Sequence, residues 1–146
     1  TLKIDYAATT DKATPLNLTN HAYWNLEDGG ASSVDKHVIR LEAEFYTPTD
    51  DDSIPTGEIR AVKNTPMDYC SAPRVVGDGI LDCDQGNGAD HNFVLSGAAS
   101  EEGLRPVATL WSEKSGRLMK VWTTEPGVQF YTGNFLARIG VSSKAP

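Results

Sequence analysis

The sequence predicts an all-β protein, an antiparallel β-sandwich, and three observations support this. Residues 16–26 alternate between apolar and polar side chains, which is typical of a half-buried strand. Residues 107–124 form a hairpin pattern around a turn that contains Gly116. Thirteen glycines and eight prolines are scattered along the chain and divide it into short segments. Many short strands separated by turn residues favour two stacked antiparallel sheets.

The first predicted strand, residues 16–26, has two unlike faces. Its apolar side carries Leu16, Leu18, Asn20, Ala22, Trp24 and Leu26. Its other side carries Asn17, Thr19, His21, Tyr23 and Asn25. A row of hydrogen-bonding side chains over an apolar back suits a ligand made mostly of hydroxyl groups. His21 lies near the middle of this row, and an imidazole can give up and take back a proton near neutral pH.

The next segment allows two interpretations. Apolar residues recur at helical spacing across Val34–Phe45, whereas His37–Ala43 is rich in Val and Ile and reads as a strand. Periodicity alone leaves both open. Asp50–Asp52 and Gly77–Gly88 are predicted to be exposed loops, and the second is long enough to carry function.

The C-terminal part of the sequence, residues 107–136, predicts three strands. Strands at Val107–Ser112 and Arg117–Thr124 form the hairpin, and a further strand covers Val128–Leu136. On one face of that last strand, Gln129 and Tyr131 form a second polar and aromatic pair that can meet a ligand.

Length and composition fit a single soluble globular domain, of which residues 1–146 are expected to be a part. The net charge is −7, from 20 acidic and 13 basic residues, which argues against nucleic acid and anionic membranes as partners. No apolar run is long enough to span a bilayer. Cys70 and Cys83 are expected to be free thiols rather than a disulfide, which favours a cytoplasmic protein, although secretion is not excluded.

No metal site or cofactor is expected. The three histidines and two cysteines lack ligand spacing, and the glycine-rich segments lack the lysine of a phosphate loop. The nucleophile elbow of serine hydrolases is also missing.

Several motifs resemble one known family. Asn17–Leu26 is similar to the Asn-x-Thr-x-His-x-Tyr-aromatic-Asn-Leu motif of aldose 1-epimerases, the galactose mutarotases. Asp90–Leu95 resembles the family's Asp-His-Asn-aromatic segment, and Pro126–Asn134 resembles its Pro-Gly-x-Gln-Phe-Tyr-Thr-Gly-Asn run. Ile54–Glu58 and Thr65–Tyr69 match its connecting loops in the same order. The resemblance implies part of the galactose mutarotase-like β-sandwich.

The resemblance also implies roles for individual residues. His21 takes the position of the family's general acid, and Asp90 and Gln129 take the positions of two sugar-binding residues. Asn20 and Tyr23, from the same motif as His21, are further candidates for substrate binding. The ligand expected is a small aldose sugar.

The chain resembles an internal or C-terminal-half fragment of a mutarotase. The family's N-terminal part contributes an arginine and a second histidine, and its catalytic base is a glutamate in a Cys-Leu-Glu-Thr-Gln motif. Neither the N-terminal segment nor the glutamate motif occurs in this sequence. Part of a sandwich would leave an unpaired strand at the edge of a sheet. We expect self-association, or the missing chain segments, to cover that edge.

The expected activity is interconversion of the α and β anomers of free hexoses such as galactose and glucose. The chain is expected to be an enzyme, an aldose 1-epimerase, by this resemblance, and the missing base leaves open that the chain by itself is inactive. The alternative is a noncatalytic, carbohydrate-binding mutarotase-like protein. Outside the proposed site, His91 is expected to be structural, His37 to be a surface strand residue, and Trp24 to pack on the apolar side of its strand.

Overall fold

The computed structural model describes residues 1–80, 83 and 88–136, and these residues are nearly all β-structure and irregular segments. The elements are β1 (Val38–Leu41), β2 (Ala43–Thr47), β3 (Arg60–Ala61), β4 (Arg74–Val75), α1 (Val76–Ile80), β5 (Asp90–Leu95), β6 (Arg105–Trp111), β7 (Leu118–Thr123) and β8 (Gly127–Tyr131).

Two antiparallel sheets make up the fold in the described part of the chain. The first sheet has the strand order β4-β1-β6-β7, and the second has the order β3-β2-β5-β8. Apolar residues from both sheets form one buried cluster, which makes the structure a β-sandwich. The predicted fold class is confirmed.

Glu42 marks the point where the chain passes from one sheet to the other. Its backbone N–H donates to the Val107 carbonyl in the first sheet at 2.9 Å. Its carbonyl accepts from the Ser96 N–H, just after β5 of the second sheet, also at 2.9 Å. The ambiguous segment 34–45 is therefore not a helix. It contains β1 and β2, which belong to different sheets.

Aromatic rings fill the centre of the core. Phe93 and Tyr69 are fully buried, and their ring centroids lie 6.3 Å apart in an edge-to-face arrangement. Phe130 packs against both, at 5.2 Å from Tyr69 and 6.3 Å from Phe93. This packing places Phe93 of β5 and Phe130 of β8 inward, so their sequence neighbours face outward.

The predicted hairpin is confirmed as β6 and β7, which pair antiparallel with Trp111 opposite Leu118. The predicted strand Val128–Leu136 is shorter than expected, because β8 ends at Tyr131. Beyond it, Gly133 has a positive φ of 84°, a turn conformation that a strand cannot contain.

The strand predicted at residues 16–26 is wrong. None of these residues belongs to a strand, and Leu16, Leu18 and Trp24 are exposed by 59%, 43% and 49%. Alternation specifies a strand only where a neighbouring strand supplies hydrogen bonds. Among the described residues, no strand pairs with this segment. Trp24 is consequently half exposed rather than packed in a core.

Two further expectations need correction. His37 is not on the surface but only 1% exposed, because it lies just before β1 and both of its ring nitrogens have backbone partners. Gly77–Gly88 is not simply an exposed loop. It begins within α1, and Gly79, Cys83 and Gly88 are buried.

Among the described residues, the structure has no helix that is both long and apolar enough to cross a membrane.

Candidate functional site

The candidate site lies on the outer face of the second sheet, where β5 and β8 pair. Asp90 is opposite Tyr131, and Asn92 is opposite Gln129. Paired residues of antiparallel strands project to the same side, as do residues two apart in one strand. These four side chains therefore form one polar surface. The opposite face of β5, with Phe93, points into the core.

Asp90 and Gln129 are joined by a hydrogen bond. Gln129 Nε2 donates to Asp90 Oδ1 at 2.8 Å. An ionised carboxylate only accepts hydrogen bonds, so the amide nitrogen must face it and Gln129 Oε1 is turned away. Asp90 Oδ2 and Gln129 Oε1 accept no hydrogen bond from a described residue. The pair thus offers two oxygens that can accept hydrogen bonds from neighbouring hydroxyl groups.

A compact turn supports the backbone next to Asp90. The Ala89 N–H donates to Thr132 Oγ1 at 3.1 Å, and the Thr132 N–H donates to the Ala89 carbonyl at 3.0 Å. Thr132 Oγ1 in turn donates to Asn134 Oδ1. Gly88 has a φ of 82°, and a Cβ there would lie 2.4 Å from Asn134 Oδ1. The turn therefore requires glycine at this position.

His21 and Tyr23 reach this surface from the irregular N-terminal segment. The ring centroids of His21 and Tyr23 lie 5.3 Å apart, and those of Tyr23 and Tyr131 lie 6.1 Å apart, edge to face. Tyr131 is the register partner of Asp90. Aromatic contacts thus bring His21 and Tyr23 to the end of the sheet where Asp90 lies.

Asn20 is not joined to the other site residues by a hydrogen bond. Its Oδ1 accepts from the Ala22 N–H at 3.2 Å, which is a local turn contact within its own segment. Its proposed role in binding remains a prediction from the motif.

The segment that carries His21 is fixed at its C-terminal end. The Leu26 N–H donates to His37 Nε2 at 2.9 Å, and the Leu26 carbonyl accepts from Ser115 Oγ at 2.7 Å. The Glu27 side chain, only 5% exposed, accepts from Lys114 Nζ at 3.0 Å. This hydrogen bond lowers the pKa of the Glu27 carboxyl below its ordinary value.

His91 has a structural environment. It lies on the face of β5 opposite to Asp90, is 6% exposed and packs edge to face on Tyr46 at 5.7 Å. Its Nε2 lies 3.5 Å from Thr49 Oγ1. His91 is therefore part of the core and is not directed at the candidate site.

No metal centre is seen in the part of the chain that the structure describes. Groups of three or more His, Cys, Asp or Glu side chains in a geometry that could hold an ion are absent there. Cys70 and Cys83 do not form a disulfide, and Cys83 Sγ donates to the Pro66 carbonyl at 3.3 Å.

Sequence reasoning missed two side chains of the outer face. Asn92 lies beside Gln129, and Thr47 of β2 is opposite Asn92 in the register. The two-residue alternation of Asp90–Leu95, with its inner positions buried and its outer positions half buried, would have identified Asn92. Thr47 comes from a strand distant in sequence, so only the sheet pairing shows its position.

The sequence is similar to known aldose 1-epimerases over almost its whole length. The family model described as Aldose 1-epimerase matches residues 1–145. The chain is 42% identical over 135 residues to a galactose mutarotase of Homo sapiens, covering 92% of this chain and 38% of the relative. It is 40% identical over 137 residues to an aldose 1-epimerase of Escherichia coli, covering 92% of this chain and 39% of that relative.

Solved structures agree with the sequence comparison. A GalM/aldose epimerase homologue from C. elegans matches with a TM-score of 0.60 and 28% identity, covering 75% of this chain and 31% of that one. A galactose 1-epimerase from Lactobacillus acidophilus matches with a TM-score of 0.59 and 27% identity, covering 70% and 29%. The chain therefore spans less than two fifths of the length of these relatives.

Proposed function

The chain belongs to the aldose 1-epimerase family, and from this membership we propose that it carries the acid and part of the sugar-binding surface of a mutarotase site. The substrates would be free hexoses such as galactose and glucose, and the reaction would interconvert their α and β anomers. The observation that carries the proposal is the Asp90–Gln129 pair, with His21 approaching it through Tyr23 and Tyr131.

The chemistry of anomer exchange explains why these residue types are needed. The ring opens when the C1 hydroxyl loses a proton and the ring oxygen gains one, and it closes again on either face of the aldehyde. An acid and a base must therefore both reach the sugar. No electrons are transferred, so the reaction itself requires no redox cofactor.

His21 is proposed as the acid. As imidazolium it would donate a proton to the ring oxygen and recover that proton when the ring closes. Its exposed position beside Tyr23 leaves the imidazole accessible to a ligand.

Asp90 and Gln129 are proposed to hold the sugar. Asp90 Oδ2 and Gln129 Oε1 would each accept a hydrogen bond from a sugar hydroxyl, while Tyr131 and Tyr23 border the ligand with aromatic rings. Hydroxyl groups at neighbouring carbons match two acceptors held side by side. Asn20 would add a contact from the same segment as His21. A cytoplasmic setting is proposed for this activity, since two cysteines are too few for the disulfide framework of a small secreted domain.

Polarimetry of freshly dissolved α-galactose tests this proposal. Because the family's glutamate motif does not occur in this sequence, water would stand in for the base, and the wild-type chain should accelerate the approach to anomeric equilibrium through its acid alone. His21→Gln keeps a hydrogen-bonding side chain but cannot exchange a proton in this way, so the acceleration should fall by about 10²–10⁴-fold. Lys12→Ala, which changes an exposed residue of the same segment, is the matched control and should leave the rate unchanged.

A second candidate function is sugar binding without catalysis. One observation favours it: Asp90 and Gln129 lie on paired strands, whereas His21 lies on a segment outside both sheets. A folded wild-type sample that binds galactose in calorimetry but leaves the polarimetric rate unchanged would support this candidate and contradict catalysis. Loss of binding in Asp90→Asn would show that the same surface is used.

A further inference from the structure

Leu26 is held by side chains that are far away in the sequence. Its N–H donates to His37 Nε2 at 2.9 Å, and its carbonyl accepts from Ser115 Oγ at 2.7 Å and from Arg117 Nη1 at 2.9 Å. These three side chains, His37, Ser115 and Arg117, are named here the Leu26 clamp.

Arg117 is the only charged donor of the Leu26 clamp, and it contacts two residues of the segment. The same Nη1 also donates to the Glu27 carbonyl, so one guanidinium holds two successive backbone carbonyls. Arg117 lies 91 positions from Leu26, just before β7, at the end of the hairpin turn. A charged donor forms stronger hydrogen bonds than a neutral one, and a planar guanidinium fixes their direction.

The Glu27 side chain fastens the same point to the hairpin. Its carboxylate accepts from Lys114 Nζ at 3.0 Å and lies 3.4 Å from Ser112 Oγ. The end of the N-terminal segment is thus joined to the first sheet through both its backbone and its side chains.

The other fixed point of the segment is Tyr23. Its ring packs on Tyr131 of β8, in the second sheet, at 6.1 Å. Between the two points, Trp24 lines a cavity of about 60 Å³ together with His37, Phe130 and Tyr131. Residues 23–27 therefore connect one end of each sheet. His21 lies two residues before this connecting segment.

From this arrangement we propose that Arg117 is a positioning residue for His21, acting through the carbonyls of Leu26 and Glu27. The inference rests on the proposed function only for the task it gives to His21, namely proton donation to a sugar. Without Arg117 the segment would lose the charged donor that holds the Leu26 and Glu27 carbonyls, and it would keep the contacts of Leu26 with His37 and Ser115 and of the Glu27 carboxylate with Lys114. Its contact with Tyr131 would weaken as a result. The Tyr23 ring, and His21 with it, would then spend less time at the Tyr131 end of β8.

Nuclear magnetic resonance of the histidine rings tests this directly, since the chain has three histidines. In wild type, the His21 ring signals should differ from their positions in the urea-denatured protein, and Tyr23 and Tyr131 ring protons should show a nuclear Overhauser effect.

Arg117→Met keeps the aliphatic stem but removes the donors. It should move His21 to its denatured position, abolish the Tyr23–Tyr131 effect and leave His91 unchanged. Arg117→Lys should restore part of the wild-type pattern.

Arg40→Ala is the control, because it removes an exposed arginine of the first sheet that pairs with Glu42 at 3.4 Å. It should leave His21 in place. An unchanged His21 signal in Arg117→Met, or a wild-type His21 signal at the denatured position, would overturn the inference. If Arg117→Met also moves His91, the fold is lost, and the milder Arg117→Gln decides instead: a His21 signal that moves toward its denatured position while His91 stays in place supports the inference, and an unchanged His21 signal overturns it.

A galactose titration of the wild-type sample separates this inference from the proposed function. Failure of galactose to move any site signal would contradict the proposed sugar site. The sugar-free spectra of the Arg117 variants would still decide whether Arg117 positions His21.

Discussion

Gln129 Nε2 donates a hydrogen bond to Asp90 Oδ1 at 2.8 Å, across the two paired strands β5 and β8. The residues come from motifs 39 positions apart, and the sheet register brings them together. Because both side chains stand on paired strands, their acceptors are oriented before any ligand arrives. Such preorganisation reduces the entropy lost on binding.

Asp90→Asn should weaken galactose binding roughly ten- to hundredfold. A hydrogen bond to a charged group is worth about 1.5–3 kcal/mol, and the substitution replaces an acceptor oxygen with a donor. Calorimetric titration measures the change. Asp51→Asn, in an exposed loop, is the matched control and should bind like wild type. Equal affinities for the Asp90 variant and wild type would show that sugar does not contact this carboxylate.

Gly88→Ala should destabilise the protein more than Gly57→Ala. Both glycines have a positive φ, 82° and 88°, so each substitution carries a backbone cost of about 1–2 kcal/mol. Only at Gly88 would the new Cβ meet other atoms, Asn134 Oδ1 at 2.4 Å and Thr132 Oγ1 at 2.5 Å. Urea denaturation of both variants measures the difference, and equal losses would mean that the turn beside Asp90 adjusts freely.

Asp28→Asn should flatten the loss of stability at acid pH. Hydrogen bonds from Ser32, and then from the Ala31 N–H, lower the pKa of Asp28 from 3.8 to about 2. A carboxylate with a lowered pKa stabilises the fold above its unfolded pKa, and this stabilisation is lost as the pH falls from 3.8 to about 2. Denaturation curves between pH 5 and 2 test this, and parallel pH profiles for variant and wild type would contradict it.

His37→Phe should lower the free energy of unfolding by about 1–3 kcal/mol, because it leaves the buried Leu26 N–H without its acceptor. The ring is 1% exposed, and phenylalanine approximates its shape, so packing changes little. Chemical denaturation gives the value. Unchanged stability would indicate that the Leu26 N–H finds another acceptor.

Local patterns predicted the parts of the fold that depend on local interactions. The β6–β7 hairpin followed from two strand patterns around the turn at Gly116, and its register is set by that turn. Alternation also placed Gln129 and Tyr131 on one face of β8, as the register confirms. The division of residues 34–45 between two sheets at Glu42 was not predictable, because it depends on partners in β5 and β6.

The predicted strand at residues 16–26 was wrong for a related reason. Its alternation is genuine, but a strand exists only with a hydrogen-bonded neighbour, and none of the described strands supplies one. The Leu26 clamp was likewise invisible in the sequence, because Arg117 and Leu26 are 91 positions apart and the motif that ends at Leu26 gives no sign of a partner for its backbone. His37 was misplaced because its partners are backbone groups of neighbouring loops.

The most direct test of the sugar site is a galactose titration followed by the backbone and side-chain amide signals of the isotopically labelled chain. We expect saturable shifts at Asp90, Gln129 and Tyr131 and at the segment around His21. The exposed groove beside Trp122, on the outer strand of the first sheet, serves as the internal control and should not respond. Shifts confined to the Trp122 groove, or no saturable shift at Asp90 and Gln129, would contradict the account.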